Sequence, residues 1–185
     1  MPQNILGLPT HILVLHIVVV LLPVAAVAAA SVALSSRFRH RWGLATVGAA
    51  FVVTLFVPIT TQSGESLAAR LPHNAAIARH AHIGHQVLYW AAAFGLCLFA
   101  VVAIDLIRRA TSSREELTAS EVWATGHLPP RWRAETPGWT AAAFRVAQVL
   151  ALATAIGVTV MVIQAGHSGA HAVWSQYPDL RRAAG

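Results

Sequence analysis

Ile12-Leu13-Val14-Leu15-His16-Ile17-Val18-Val19-Val20-Leu21-Leu22-Pro23-Val24-Ala25-Ala26-Val27-Ala28-Ala29-Ala30-Ser31-Val32-Ala33-Leu34 is the stretch that decides the fold. Only His16 and Ser31 are polar in it, and Pro23 is its one helix breaker. Crossing a bilayer takes roughly 20 apolar residues as a helix. Backbone groups in lipid must be bonded within their own segment. The run therefore predicts a membrane-spanning α-helix over about 11–34. Three further runs predict spans at about 44–64, 82–106 and 141–172. The expected fold is an all-α integral membrane four-helix bundle, one domain over 1–185, with kinks at Pro23 and Pro58.

Composition agrees. Hydrophobic residues make up 56% of the 185 and charged residues 11%. That excludes a disordered chain, a polar nucleic-acid-binding domain and a disulfide scaffold. The expected environment is the lipid bilayer, with no nucleic acid partner. The lone Cys97 has no internal disulfide partner, and no C-x-x-C-H motif exists for covalent haem attachment. Ala28-Ala29-Ala30 resembles a cleavage site, but no basic region precedes the run, so the first span is expected to stay uncleaved.

Arginine placement sets the expected orientation. All 13 cations are arginines. Arg37, Arg39 and Arg41 lie in the first connection, 35–43. Arg108, Arg109, Arg114, Arg131 and Arg133 lie in the third, 108–140. Against these stand Arg70 and Arg79 in the second connection and Arg181 and Arg182 in the tail. The positive-inside rule then puts both termini outside the plasma membrane of a bacterium. Trp42, Trp132 and Trp139 suit an inner aromatic belt, and Trp174 and Tyr177 an outer one. Ser112-x-x-Glu115 and Ser113-x-x-Glu116 read as capping boxes and predict a short interfacial helix in the third connection, closed by Pro129-Pro130. Asp105 and Arg145 are expected to pair across the third and fourth spans.

The chain also reads as two duplicated helical hairpins. His11-x-x-x-x-His16 opens the first span and His80-x-x-x-x-His85 the third. Val53-Thr54 precedes Ser63-Gly64 by the same offset by which Val158-Thr159 precedes Ser168-Gly169. Parallel repeats related by an axis along the membrane normal produce such a pattern.

Topology gathers most of the ten histidines. His11, His16, His80, His82, His85, His167 and His171 all fall at the outer end of the bundle. His40, His73 and His127 fall in connections. His82 and His85 are three apart, and His167 and His171 four, so each pair shares a helix face. Inward imidazoles from different helices suit haem b, whose ring needs small residues to slide between helices. Gly64, Gly84, Gly166 and Gly169 lie at that level. His16 and His85 are the first-choice axial ligands, followed by His171 and His167, with His82 and His11 completing the set. A Zn or Cu site would instead use His16, His85, His167 and His171 with Glu65. The bland reading stands beside both: His11, His73 and His80 are hydrogen-bonded at the headgroup level, and Cys97 is packing.

Gly7-Leu8-Pro9-Thr10-His11, Ser63-Gly64-Glu65, Arg79-His80-Ala81-His82 and Gly166-His167-Ser168-Gly169-Ala170 carry a family resemblance. In order and spacing the chain, from about Leu6 to Trp174, resembles bacterial four-span membrane proteins of domain-of-unknown-function family 2231. Ile12 departs from the pattern, which has Pro after the first His. The resemblance implies a layout similar to cytochrome b and b561-like four-helix bundles. It implies a redox partner as well, since some members are fused to a Rieske iron–sulfur domain. One Cys cannot supply that domain's ligands here.

The function expected from all this is a membrane-embedded haem-b-binding electron-transfer subunit. The alternatives are an extracytoplasmic Zn or Cu binder and a non-catalytic assembly subunit of a larger membrane complex, with self-association left open. No nucleophile elbow, zincin helix or paired carboxylates point to a stand-alone enzyme.

Overall fold

A computed structural model describes residues 4–5, 8–70, 74–125 and 138–174. A minimal antiparallel pair, β1 (Asn4–Ile5) with β2 (Leu8–Pro9), leads into the helices. These are α1 (Thr10–Leu34), α2 (Ser36–Ala68), α3 (Ala75–Thr125) and α4 (Trp139–Trp174). All four are long and apolar enough to cross a membrane, as the sequence predicts. Chain neighbours pack side by side, and α4 closes back on α1. The result is an up-down-up-down four-helix bundle in which α1 and α3 meet only weakly across the diagonal.

Three- and four-residue steps, alternating on α1, α2 and α3 and with one doubled four-residue step on α4, build the core. On α1 the buried seam is Val18, Leu22, Ala25, Ala29 and Val32; on α2 it is Gly43, Thr46, Ala50, Val53, Val57 and Thr60. On α3 it is Val87, Ala91, Phe94, Leu98 and Val101, continuing to Asp105, and on α4 Phe144, Ala147, Ala151, Ala155, Val158 and Val162. This spacing keeps one stripe of each helix facing its partners, the packing of left-handed bundles. The opposite faces are apolar too: Val24, Val27, Phe51, Tyr89, Leu96, Val149 and Ile156 are all exposed. Helices hydrophobic all round belong in lipid rather than water. The Trp90 indole packs against Gly157, where any Cβ would collide with it, and this brings α3 and α4 close.

Two expected connections are largely helical among the described residues. The segment 35–43 is not a loop: α2 begins at Ser36, and only Ser35 separates it from α1. Ser35 caps the new helix, its hydroxyl accepting from the Phe38 N–H at 3.3 Å. The segment expected as a separate interfacial helix is the unbroken continuation of α3, which runs through Ser112 and Ser113 to Thr125. Pro23 and Pro58 stand inside helices that continue past them. His73, His127, Pro129-Pro130, Arg131, Trp132, Arg133, Tyr177, Arg181 and Arg182 lie outside the described residues.

At the arginine-rich end one side chain joins all four helices. Arg39, on α2 and 8% exposed, holds Asp105 of α3 through Nε at 3.0 Å. Its Nη1 donates to the carbonyls of Val32 at 2.8 Å and Ala33 at 3.2 Å, the open C-terminus of α1. Its guanidinium lies 4.8 Å from the ring centre of Phe144 on α4, and Arg108 lies 5.2 Å from the same centre. Gln148 of α4 also donates to Ala33 O, and Arg109 binds the second oxygen of Asp105. The expected Asp105–Arg145 pair is not formed. Arg145 is exposed, and Asp105 is taken by Arg39 and Arg109 because Arg39 is the buried cation.

Removing one partner of a buried ion pair costs about 3 kcal/mol, because the other charge is left unpaired. Asp105→Ala should therefore lower the melting temperature of the detergent-solubilised protein clearly. Arg145→Ala should leave stability within about 0.5 kcal/mol. Equal melting curves for the two variants would contradict this assignment.

Candidate functional site

The seam changes character at the histidine-rich end. On α2 it continues from Thr60 to Gly64, on α3 back from Val87 to Gly84 and His80, and on α4 from Ala165 to Gly169 and Ala172. Small residues replace bulk, and a cavity of about 360 Å³ opens there. It reaches from Ile77 to Val87 along α3, about 15 Å at the rise of an α-helix. Its walls come from all four helices: Leu15, Val18 and Val19 on α1; Val57 and Gly64 on α2; Gly84 on α3; Val162, Gly166 and Gly169 on α4. At Gly84 and Gly166 a Cβ would meet nothing within 4 Å, so these glycines border open space.

Few polar groups line it. Thr60 and Thr61 bond back to their own helix, donating to Phe56 O at 2.8 Å and Val57 O at 3.0 Å. His80, His85 and Glu65 complete the polar set of the wall. His80 sits against Gly169, where a Cβ would come within 3.1 Å of its Cε1. Its Nδ1 shares a 3.0 Å hydrogen bond with Ser168 Oγ. Ser168 Oγ also lies 3.0 Å from Ala165 O of its own helix. The His80–Ser168 bond joins α3 to α4 and fixes the ring's orientation. His85 Nε2 lies 2.9 Å from Glu65 Oε1, joining α3 to α2. Among the described residues no arginine borders the cavity.

The expected site residues divide. Gly64, Gly84, Gly169 and His85 line the cavity together, with Gly166 and Glu65. His16, His82, His167 and His171 are exposed and do not border it. His82 takes a 3.1 Å hydrogen bond from Gln86 one turn on. His11 lies in the first turn of α1, its side chain outside the described atoms. Among the described residues no three His, Cys, Asp or Glu side chains come together as a metal-ligand group, the set His16, His85, His167, His171 and Glu65 included. His80 and Ser168 are the additions. Their signal was register: His80 and Gly84 extend the α3 seam by one further four-residue step, whereas His82 falls off it.

The fold and site thus define a four-helix bundle able to span a membrane, with a small-residue cavity at one end and its donors on α2 and α3. The chain matches no protein-family model, no curated protein and no solved structure.

The His85–Glu65 pair is half exposed, at 51% and 53% of the side chains. Exposed pairs contribute at most about 1 kcal/mol. Glu65→Gln and His85→Gln should each leave the unfolding midpoint almost unchanged. A loss on the scale expected for Asp105→Ala would make the pair a structural strut instead.

Proposed function

We propose that the protein is a membrane-embedded binding subunit that holds a flat, lipid-soluble redox molecule in this cavity and serves electron transfer. The observation that carries the reading is the meeting of Gly64, Gly84, Gly166 and Gly169 on one apolar cavity, with two imidazoles and a carboxylate on its wall. Pockets for small molecules are mostly apolar with a few convergent polar groups. Glycine walls suit a planar ring, because nothing projects from them. By the arginine balance the histidine end faces outward, with both termini extracytoplasmic in a bacterial plasma membrane. The extension of α3 past the inner interface takes the place of the interfacial helix. The two-hairpin repeat and the likeness to family 2231 belong to the same reading.

Haem b is the occupant that the sequence favours, and it is the second, narrower reading. The glycine walls fit its ring. The donors fit only in part: His80 and His85 both come from α3, and the expected partner His16 is exposed. One axial imidazole from α3 is therefore what the wall offers, not a facing pair. When bound, the group would supply a one-electron couple. His80 or His85 would bind it, Ser168 would orient His80, and the apolar walls would exclude water. A bare Zn or Cu site has no ligand group here among the described residues. An assembly role has no observation of its own.

Oxidised and dithionite-reduced spectra of detergent-purified protein test the haem reading. A Soret band that is lost in His80→Ala or His85→Ala but kept in His16→Ala and His171→Ala is the expected result. No band after haem is supplied removes this occupant.

A further inference from the structure

We infer that the cavity takes a neutral quinone-type ring on an apolar tail. This rests on the reading of the cavity as a ligand site and names its ligand class. Three observations converge on that chemistry. First, the slot is about 15 Å long along α3, and its wall from Leu15, Val18 and Val19 to Val162 is hydrocarbon. A tail fills such a length, and a head ring alone does not. Second, the polar groups are few and of one kind. His80, His85 and Glu65 are hydrogen-bonding groups of the wall, while the two threonine hydroxyls donate to their own helix. When the His85–Glu65 pair opens, the His85 N–H donates to a ring carbonyl and the Glu65 carboxylate accepts from a hydroxyl of the reduced ring. Third, among the described residues the wall carries no arginine, and its one carboxylate is matched by His85 at 2.9 Å. An anionic headgroup or a haem propionate would meet Glu65 with no guanidinium among the described wall residues to offset it. A ring without charge meets no such repulsion.

Glu65 and His85 play the recognising part because they belong to different helices, α2 and α3, and stand half exposed beside the cavity. A pair in that position can open toward a ligand at little cost in stability. Gly84 and Gly166 let a ring lie against bare backbone.

The test uses the full chain in phosphatidylcholine nanodiscs with an azido-benzoquinone carrying a short alkyl tail. After illumination, labelled peptides are mapped by mass spectrometry. Label should fall on the Glu65 segment of α2 and the His80–His85 segment of α3, and excess unmodified quinone should displace it. Gly84→Leu should abolish the labelling by filling the slot, and Gly166→Leu serves the same purpose if the first variant fails to fold. Gly48→Leu is the control, because Gly48 is equally open but lies off the cavity. Glu65→Gln should weaken displacement about tenfold, the worth of one hydrogen bond to a charged group. Label spread evenly over the lipid-facing helices and indifferent to Gly84→Leu overturns the quinone assignment. Haemin and an azido-phosphatidylcholine are run alongside. If either depends on Gly84 while the quinone does not, the ligand class falls and the cavity reading stands. If none of the three probes depends on Gly84, both fall.

Discussion

Everything in this bundle is organised around a guanidinium that has no water to turn to. A buried cation must be paired and hydrogen-bonded, or it is very costly to fold around. Arg39 meets that demand with partners from three other helices: two carbonyls at the end of α1, the Asp105 carboxylate on α3 and the Phe144 ring on α4. The same bonds satisfy the C-terminal carbonyls of α1, which an abrupt one-residue turn at Ser35 would otherwise leave open. A cation also suits the negative end of a helix dipole. The short turn and the buried arginine therefore need each other. Together they fix the spacing of all four helices at one end.

The other end is built by subtraction. Val32, Ala33, Ala50, Leu98 and Val101 are fully buried near the arginine end or mid-bundle. Beyond Val57, Val87 and Val162 the seam passes to threonine, glycine, alanine and one histidine. Small seam residues normally let helices close up on one another. Here Gly84 and Gly166 face space that a side chain could occupy without contact. The wall keeps apolar character and gathers its donors on neighbouring helices, which separates it from a simple packing fault.

The spans were legible because lipid imposes a length and an apolar run that no other environment demands. Their ends were less so. Arg37, Arg39 and Arg41 look like a loop when counted as charges, yet a helix carrying one inward and two outward cations has the same composition. Which cation turns inward was encoded in the seam: Arg39 is one four-residue step before Gly43, and Asp105 one such step after Val101. The same register sorts the histidines. Clustering by topology placed seven imidazoles at one end, but height along a helix says nothing of direction around it. His80, in step with Gly84 and Val87, reaches the cavity wall, while His16, His82, His167 and His171 do not. Glycine was the more reliable guide, since the residues that line a void are the ones that fail to fill it.

A site at one end of a bundle closed at the other restricts what the protein can do with its ligand. Thr54, Thr154 and Thr159, polar residues near the middle of α2 and α4, spend their hydroxyls on Ala50 O, Leu150 O and Ala155 O at 2.7–2.8 Å. Below the cavity the seam is Phe94, Leu98 and Val101, each without exposed surface. An ion or polar molecule crossing there would give up its hydration and gain no replacement. Among the described residues no polar path runs below the cavity. A ligand bound as proposed would enter and leave at the histidine end or sideways into lipid. Such a pocket suits the proposed ligand, a molecule carried in the bilayer, because the half-exposed His85 and Glu65 stand at its open end beside apolar walls.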